Sequence, residues 1–335
     1  MILAKSFKTI AFWVRNARPK AIPQSIMPAF LALCMASHNG GFSLTLGIIA
    51  VCGVVLGHLG INLFDDYFDY RFKTTQIRQE LTHQGVRARI NKCAYLSSKE
   101  ATLPQLLTAS LVFILLALFC ATILFVKRGP FIFYLAAIAV FLGVSYSGGP
   151  LRFSYRGLGE LLIGLMFGPL LMTGVYYAAA GAVDSAVVIV AVPVGLLVAN
   201  IVYVHAIMDY EADKQAGKMT FAVLLGNRKL MLTSLLVLLL LSYGFLVAGG
   251  ITGYLSAYYL GILLTLPMAI TLYRLMTAFV RYPDKEYLPT VWMGPMPNWA
   301  GVQKTGIAWF MIRWYLARNL LIFFCLILIA VNWII

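Results

Sequence analysis

Charge is what this sequence has least of. Only 11% of its 335 residues are Asp, Glu, Lys or Arg, against about 25% in a soluble domain. So little charge cannot coat a folded surface of this size, which excludes a soluble globular protein. Disorder is excluded from the other side, because 61% of the chain is hydrophobic and disorder needs low hydrophobicity. Histidine is scarce, with four residues scattered along the chain, and the five cysteines form no C-x-x-C and no metal-ligand spacing. Four of the cysteines lie in apolar stretches and read as small buried hydrophobes. The N-terminus carries Lys5, Lys8 and Arg15 without a clean apolar core before a small-residue cleavage site, so no cleavable signal peptide is expected.

Long apolar runs are what the chain does have. A span needs about 20 mostly apolar residues, and nine candidates follow, at 21–37, 44–66, 103–126, 130–147, 158–180, 185–209, 230–250, 255–280 and 310–333. The connections alternate sharply in charge. Of the 26 Lys and Arg residues, 24 fall on one side, and only Lys127 and Arg128 fall on the other. The positive-inside rule therefore places the N-terminus in the cytoplasm. The expected fold is an all-α membrane protein of nine transmembrane helices, arranged as two four-helix halves plus one.

The acids are equally lopsided: all but Asp184 of the twelve lie on the basic side. They concentrate in two clusters. The end of the second span carries Asn62, Asp65, Asp66 and Asp69, and at 100° per residue Asn62, Asp66 and Asp69 share one helical face with Asp65 beside them. The end of the sixth carries Asp209 and Asp213, at i and i+4 on one face, with Glu211 pointing away. Asp66-Tyr-Phe-Asp69 echoes Asp209-Tyr-Glu-Ala-Asp213 as a weak internal repeat. Carboxylates this close at a bilayer edge repel one another unless a cation neutralises them. Oxygen-only ligands without His or Cys favour Mg²⁺ over zinc. Mg²⁺ is usually shared between one or two carboxylates and a substrate phosphate, so two facing clusters with Lys and Arg alongside suggest a Mg²⁺-bridged diphosphate.

At these residues the chain resembles the UbiA-type intramembrane prenyltransferases, and within them the 1,4-dihydroxy-2-naphthoate polyprenyltransferases of menaquinone synthesis. The resemblance covers residues 11–270. Asn62, Asp65, Asp66 and Asp69 match the family's first motif. Asp209, Asp213, Gly217, Lys218 and Thr220 match its second. Tyr146-Ser-Gly-Gly-Pro150-Leu-Arg152, Tyr155-Arg156-Gly-Leu-Gly-Glu160 and Arg18-Pro19-Lys20 look like the naphthoate branch. Two places depart from the pattern. Lys73, Thr74 and Thr75 stand where a further Asp is usual, which leaves the metal count open. His205-Ala206-Ile207-Met208 stands where that branch often has Asn-Asn-x-Arg, which leaves the acceptor open.

The resemblance implies a Mg²⁺-dependent prenyltransferase that moves a chain from a polyprenyl diphosphate to an aromatic acceptor, within a bacterial cytoplasmic membrane and without nucleic acid. Asp66, Asp69, Asp209 and Asp213 are then expected to hold Mg²⁺ and to be the catalytic acids. Lys218, Arg152 and Arg156, with Arg18 or Lys20, are expected to bind the diphosphate, Arg being suited to bidentate contact. Asn62 and Asp65 complete the substrate-binding set. Tyr146 is expected to shield an allylic cation through its π face, and His205 to orient Asp209 or touch the acceptor. The polar stretch 70–100 is expected to cap the first cluster, and the stretch 281–310, with its prolines and two Trp, to lie along the interface. The whole chain reads as one domain. Two alternatives remain: another branch of the family, acting on a benzoate, a haem or a glycerol-phosphate lipid, and an ion-coupled secondary transporter, since intramembrane carboxylates also mark ion paths.

Overall fold

A computed structural model describes residues 2–88 and 92–334. The described residues are helical, with no strand among them. The helices are α1 (Ile2–Asn16), α2 (Pro23–Ala36), α3 (Leu44–Arg71), α4 (Thr74–His83), α5 (Ala94–Ser97), α6 (Leu103–Arg128) and α7 (Pro130–Ser147). There follow α8 (Gly159–Ala180), α9 (Ser185–Met208), α10 (Tyr210–Gln215), α11 (Phe221–Leu225) and α12 (Arg228–Ile251). The chain closes with α13 (Ala257–Arg281), α14 (Trp299–Lys304) and α15 (Ala308–Ile334).

Eight of these, α3, α6, α7, α8, α9, α12, α13 and α15, are long and apolar enough to cross a membrane. The chain is an integral, multi-pass membrane protein. The expected span at 21–37 is α2, whose 14 residues reach only about 21 Å at 1.5 Å each. Prolines shorten it: Pro19 opens a 3-10 turn, Pro23 starts the helix anew, and Pro28 lies inside it. The expected span at 255–280 also departs from regular helix. Residues Ala257–Thr265 form 3-10 turns, and the α-helix resumes only at Leu266.

Caps set the starts. Ser43 accepts from the Leu46 N–H at 3.4 Å at the head of α3. Thr102 and Gln105 form a reciprocal capping box on α6. Asp184 caps α9 through the Ala186 N–H at 2.7 Å, and Asn227 caps α12 through Lys229 and Leu230. The helix α9 is the axis of the bundle, buried along most of its length. It packs on α8 through small residues. A Cβ on Gly168 would meet the Ala191 carbonyl oxygen and the Gly195 Cα at 2.5 Å, so the two backbones touch as only glycine permits. Pro169 turns one stretch of α8 into a π-turn at this crossing. On its other faces α9 meets α12 and α15, and α15 is itself buried against α2. The acidic ends of α3 and α9 are bridged by Lys218, and the described residues of the 70–100 connection bring Arg78 and Lys92 onto them. That connection is not an open loop: it contains α4 and α5.

Candidate active site

Asp65, Asp66 and Asp69 are all buried at the end of α3, and so is Asp213 in α10. Buried carboxylates must be paired, and cations from four separate elements pair them. Arg18, just after α1, lies 2.9 Å from Asp65 and 3.2 Å from Asp66. Lys92, ahead of α5, lies 2.8 Å from Asp65, 3.7 Å from Asp66 and 2.5 Å from Asp69. Lys218, after α10, lies 3.1 Å from Asp69. Arg78, on α4, forks across the second cluster, with one nitrogen 2.6 Å from Asp209 and another 2.6 Å from Asp213.

Hydroxyls fill the remaining positions. Tyr155 donates to Asp69 at 2.6 Å and shares a hydrogen bond with Thr74 at 2.9 Å. Tyr95 donates to Asp66 at 3.2 Å, and Ser147 donates to Asp65. Asn62 does not face the carboxylates. Its amide donates to the Ala17 carbonyl at 3.0 Å, and its own carbonyl accepts from Arg18 at 2.6 Å, so it fixes the Arg18 hinge. Arg18 has a left-handed backbone, φ 60°, an uncommon conformation for a non-glycine residue that is stabilised here by those contacts.

The helix axis breaks at Asp209, between α9 and α10. The i to i+4 relation survives, because the Asp213 N–H still donates to the Asp209 carbonyl at 2.8 Å. The two clusters adjoin, and their charges feel each other. Burial, with Asp209 close by, pushes the Asp213 carboxyl up to about 7, despite Arg78 pulling the other way. Burial alone would lower the Lys218 ammonium, but Asp69 and Asp65 outweigh it and hold its pKa well above the usual lysine value. The same balance raises Lys92. Burial, then Asp69, pushes Tyr155 up to about 12, so it stays a donor.

Other expected residues lie further out. Arg152 stacks over Phe72 at 3.9 Å and over Tyr155 at 4.2 Å, one layer behind Asp69. Arg156 and Lys20 are exposed; the guanidinium of Arg156 reaches the Pro150 carbonyl at 3.4 Å. His205, a turn before Asp209, packs against Phe310 at 4.8 Å and Trp314 at 6.1 Å. Glu160 is buried and accepts from the Phe221 N–H at 3.1 Å, fastening the start of α11. The sequence puts Arg78 and Lys92 in the 70–100 stretch without pairing them with the acids, and it singles out no role for Ser147, Tyr155 or Tyr95. The first two of those three lie inside the quoted Tyr146–Arg152 and Tyr155–Glu160 motifs, and that proximity was the available signal.

Below the acids runs an apolar groove of about 230 Å³ between α3, α6, α7 and α8. Tyr146 and Ile61 lie among its lining residues, and Ala50 and Val175 line it deeper in the bilayer. From Ile61 to Ala50 the groove follows α3 for about 16 Å. Tyr146 is next in sequence to Ser147, which bonds Asp65, so the groove meets the charged site at its polar end. His58, also on the wall, shares a hydrogen bond with Ser25 at 2.7 Å.

Among the described residues no three His, Cys, Asp or Glu side chains converge tightly enough to hold an ion alone. The donor set is nevertheless that of a hard cation: carboxylate oxygens only, with Asp66 Oδ1 buried and without a hydrogen-bond partner. This fits Mg²⁺, which keeps few protein ligands and completes its shell with phosphate and water.

The chain is similar to known proteins in sequence and in fold. The 1,4-dihydroxy-2-naphthoate octaprenyltransferase of Mycobacterium tuberculosis is 27% identical over 225 residues, covering 66% of this chain and 72% of that protein. The enzyme of the same name from Bacillus subtilis is 25% identical over 255 residues, covering 76% and 78%. In three dimensions the chain superposes on a UbiA homolog from Archaeoglobus fulgidus, solved bound to DMAPP and Mg²⁺, with a TM-score of 0.57 at 18% identity over 95% of this chain and 99% of that one. The transporter alternative has no counterpart among these relatives. The UbiA prenyltransferase family matches residues 25–288, a stretch holding both acidic clusters, the cap and the groove, and the chain belongs to that family as a prenyltransferase.

Proposed function

We propose that this enzyme transfers a polyprenyl chain from its diphosphate to 1,4-dihydroxy-2-naphthoate, with Mg²⁺, in quinone biosynthesis. The observation that carries the reading is the junction at Tyr146. There a charged chamber of five aspartates and four cations opens onto an apolar groove long enough for several isoprene units. The naphthoate acceptor rests on the relatives and on the Tyr146–Arg152 and Tyr155–Glu160 motifs. Nine crossings with a cytoplasmic N-terminus, α2 completing the count, agree with the charge alternation, and one catalytic domain accounts for the whole chain.

In this mechanism the prenyl chain lies in the groove and its diphosphate in the chamber. Asp66, Asp69, Asp209 and Asp213 would hold Mg²⁺, which would supply positive charge to stabilise the departing diphosphate. Arg18, Arg78, Lys92 and Lys218 neutralise the carboxylates. From these positions their remaining N–H groups bind the phosphate oxygens. They thus lie ready where negative charge grows as the allylic C–O bond breaks, and that is where preorganised donors act most strongly. Tyr155, with Arg152 stacked behind it, keeps Asp69 oriented, and Asn62 and Asp65 keep Arg18 in place. Tyr146, at the mouth of the groove, offers its ring to the allylic cation. The acceptor ring then attacks that cation, and its carbon gives up a proton, or carbon dioxide if it carries the carboxyl. The cap excludes water, which would otherwise capture the cation.

The test is a prenyl-transfer assay on protein in detergent, with Mg²⁺, a polyprenyl diphosphate and 1,4-dihydroxy-2-naphthoate, and with Asp66→Ala and Asp209→Ala in parallel. Product from the wild type, lost with EDTA and in both variants, supports the reading. Diphosphate release without product rejects the acceptor. Neither product nor release rejects the assignment of the site.

A further inference from the structure

Most of the stretch between α13 and α15 lies beyond the family match, which ends at residue 288. Its contacts place it at an unexpected depth. Asn319 donates to the Met293 carbonyl at 2.8 Å and to the Pro295 carbonyl at 2.9 Å. A Cβ on Gly294 would lie 3.0 Å from the Phe323 ring. Asn319 and Phe323 are 11 and 15 residues past Ala308, the first residue of α15, or about 16 and 22 Å along it. They are mid-span residues, and whatever touches them lies at their depth.

We propose that residues 288–297 form a re-entrant element inserted into the hydrocarbon of the cytoplasmic leaflet, with lipid acyl chains as the partner of its outer face. The backbone chemistry suits that position. Non-helical chain at membrane depth must have its polar groups satisfied from within. Pro289, Pro295 and Pro297 carry no N–H. The Met293 and Gly294 N–H groups donate to Thr290 and Val291 within one tight turn. Asn319 takes up two of the carbonyls, and Tyr315 donates to that of Pro297 at 3.4 Å.

The side chains divide in the same way. Met293 is buried against the bundle. Leu288, Val291 and Trp292 point outward, with exposures of 69%, 95% and 71%. Three apolar side chains on one short turn would be a liability in water. Beside lipid they continue the outer surface of α15, where Phe323 and Leu326 are also exposed. In this reading the middle of the 281–310 stretch dips inward from the interface. Its start stays at the cap, where Arg87 donates to the Pro283 carbonyl at 2.6 Å and pairs with Asp284 at 3.0 Å.

The experiment is tryptophan quenching in vesicles of phosphatidylcholine brominated on the acyl chains. Wild type is compared with Trp292→Phe, so that the difference reports Trp292 alone among the six Trp. The expected result is that Trp292 emission is quenched by acyl-chain bromine and spared by aqueous iodide. Asn319→Leu should reverse that preference, because it removes the partner of both carbonyls. Quenching by iodide with none by bromine overturns the proposal. Quenching by neither, with Val291→Arg converting a dimer to a monomer, assigns the surface to a second copy and overturns it equally.

Discussion

Lys218 ties the two acidic clusters together: its Nζ lies 3.1 Å from Asp69, while its backbone N–H donates to the Asp213 carbonyl at 2.8 Å. A charge held this way needs no rearrangement when a diphosphate arrives. Lys218→Ala is expected to lower kcat/KM for prenyl transfer by about 10²–10³, the usual cost of removing one preorganised donor. Lys218→Arg should recover part of it by keeping the charge. Steady-state assays of both variants decide the matter, and equal activity in Lys218→Ala and wild type would remove Lys218 from the chemistry.

Arg78 closes the second cluster with a fork that Lys cannot reproduce. In Arg78→Gln the two carboxylates lose their shared counter-charge, and breaking such a buried pair costs about 3–5 kcal/mol. The cost should fall toward the low end, since the Arg78 side chain is 17% exposed. The melting temperature in EDTA should therefore drop, and millimolar Mg²⁺ should raise it by more than in the wild type, because the metal meets carboxylates that Arg78 no longer occupies. An identical Mg²⁺ shift in both proteins would show that the ion binds elsewhere.

Asp213 gives the pH dependence its sign. Its folded pKa is raised from 3.8 to about 7, chiefly by burial. Between these two values the folded metal-free protein holds a proton that the unfolded chain has already lost. The contribution of this group to stability is present at low pH and is lost as the pH climbs through about 7. In EDTA, wild type should lose stability relative to Asp213→Asn between pH 5 and 8. A flat difference, or one of the opposite slope, would mean that Asp213 is ionised throughout.

What could be read from the sequence follows from which forces are local. The spans α3, α6, α9 and α15 announce themselves by apolar length, and Asp66 with Asp69 by helical spacing. Those features depend on neighbours a few residues away. The shortness of α2 comes from Pro19, Pro23 and Pro28, visible in the sequence but silent about how far each one breaks the helix. The pairing of Arg78 with Asp209 and Asp213 joins residues 131 and 135 positions apart, and only the folded cap chooses it over Arg71, Lys73 or Arg87. The same holds for Arg156 and Lys20. Each sits beside a motif residue that does reach the site, yet backbone direction turns both outward. The contact of Met293 and Pro295 with Asn319 is of the same kind, since nothing in Trp292-Met-Gly-Pro names Asn319 as its partner.

The groove makes a prediction about chain length. Gly57 lines it on α3, and a Cβ there would meet only the Ala117 Cβ, at 3.7 Å. A modest side chain therefore fits without disturbing the packing of α3 on α6, yet it projects into the path of the prenyl chain. Gly57→Leu should leave transfer from a one- or two-isoprene donor near the wild-type rate, because those chains end close to Tyr146. Longer donors must pass the new side chain. Forcing it aside costs about 1–3 kcal/mol, so kcat/KM for a long polyprenyl diphosphate should fall by about 5- to 150-fold. The ratio of the two donors, measured on one preparation, cancels any loss of folded protein. A ratio unchanged from wild type would mean that the chain leaves the site by another route, and the groove between α3, α6, α7 and α8 would then belong to membrane lipid.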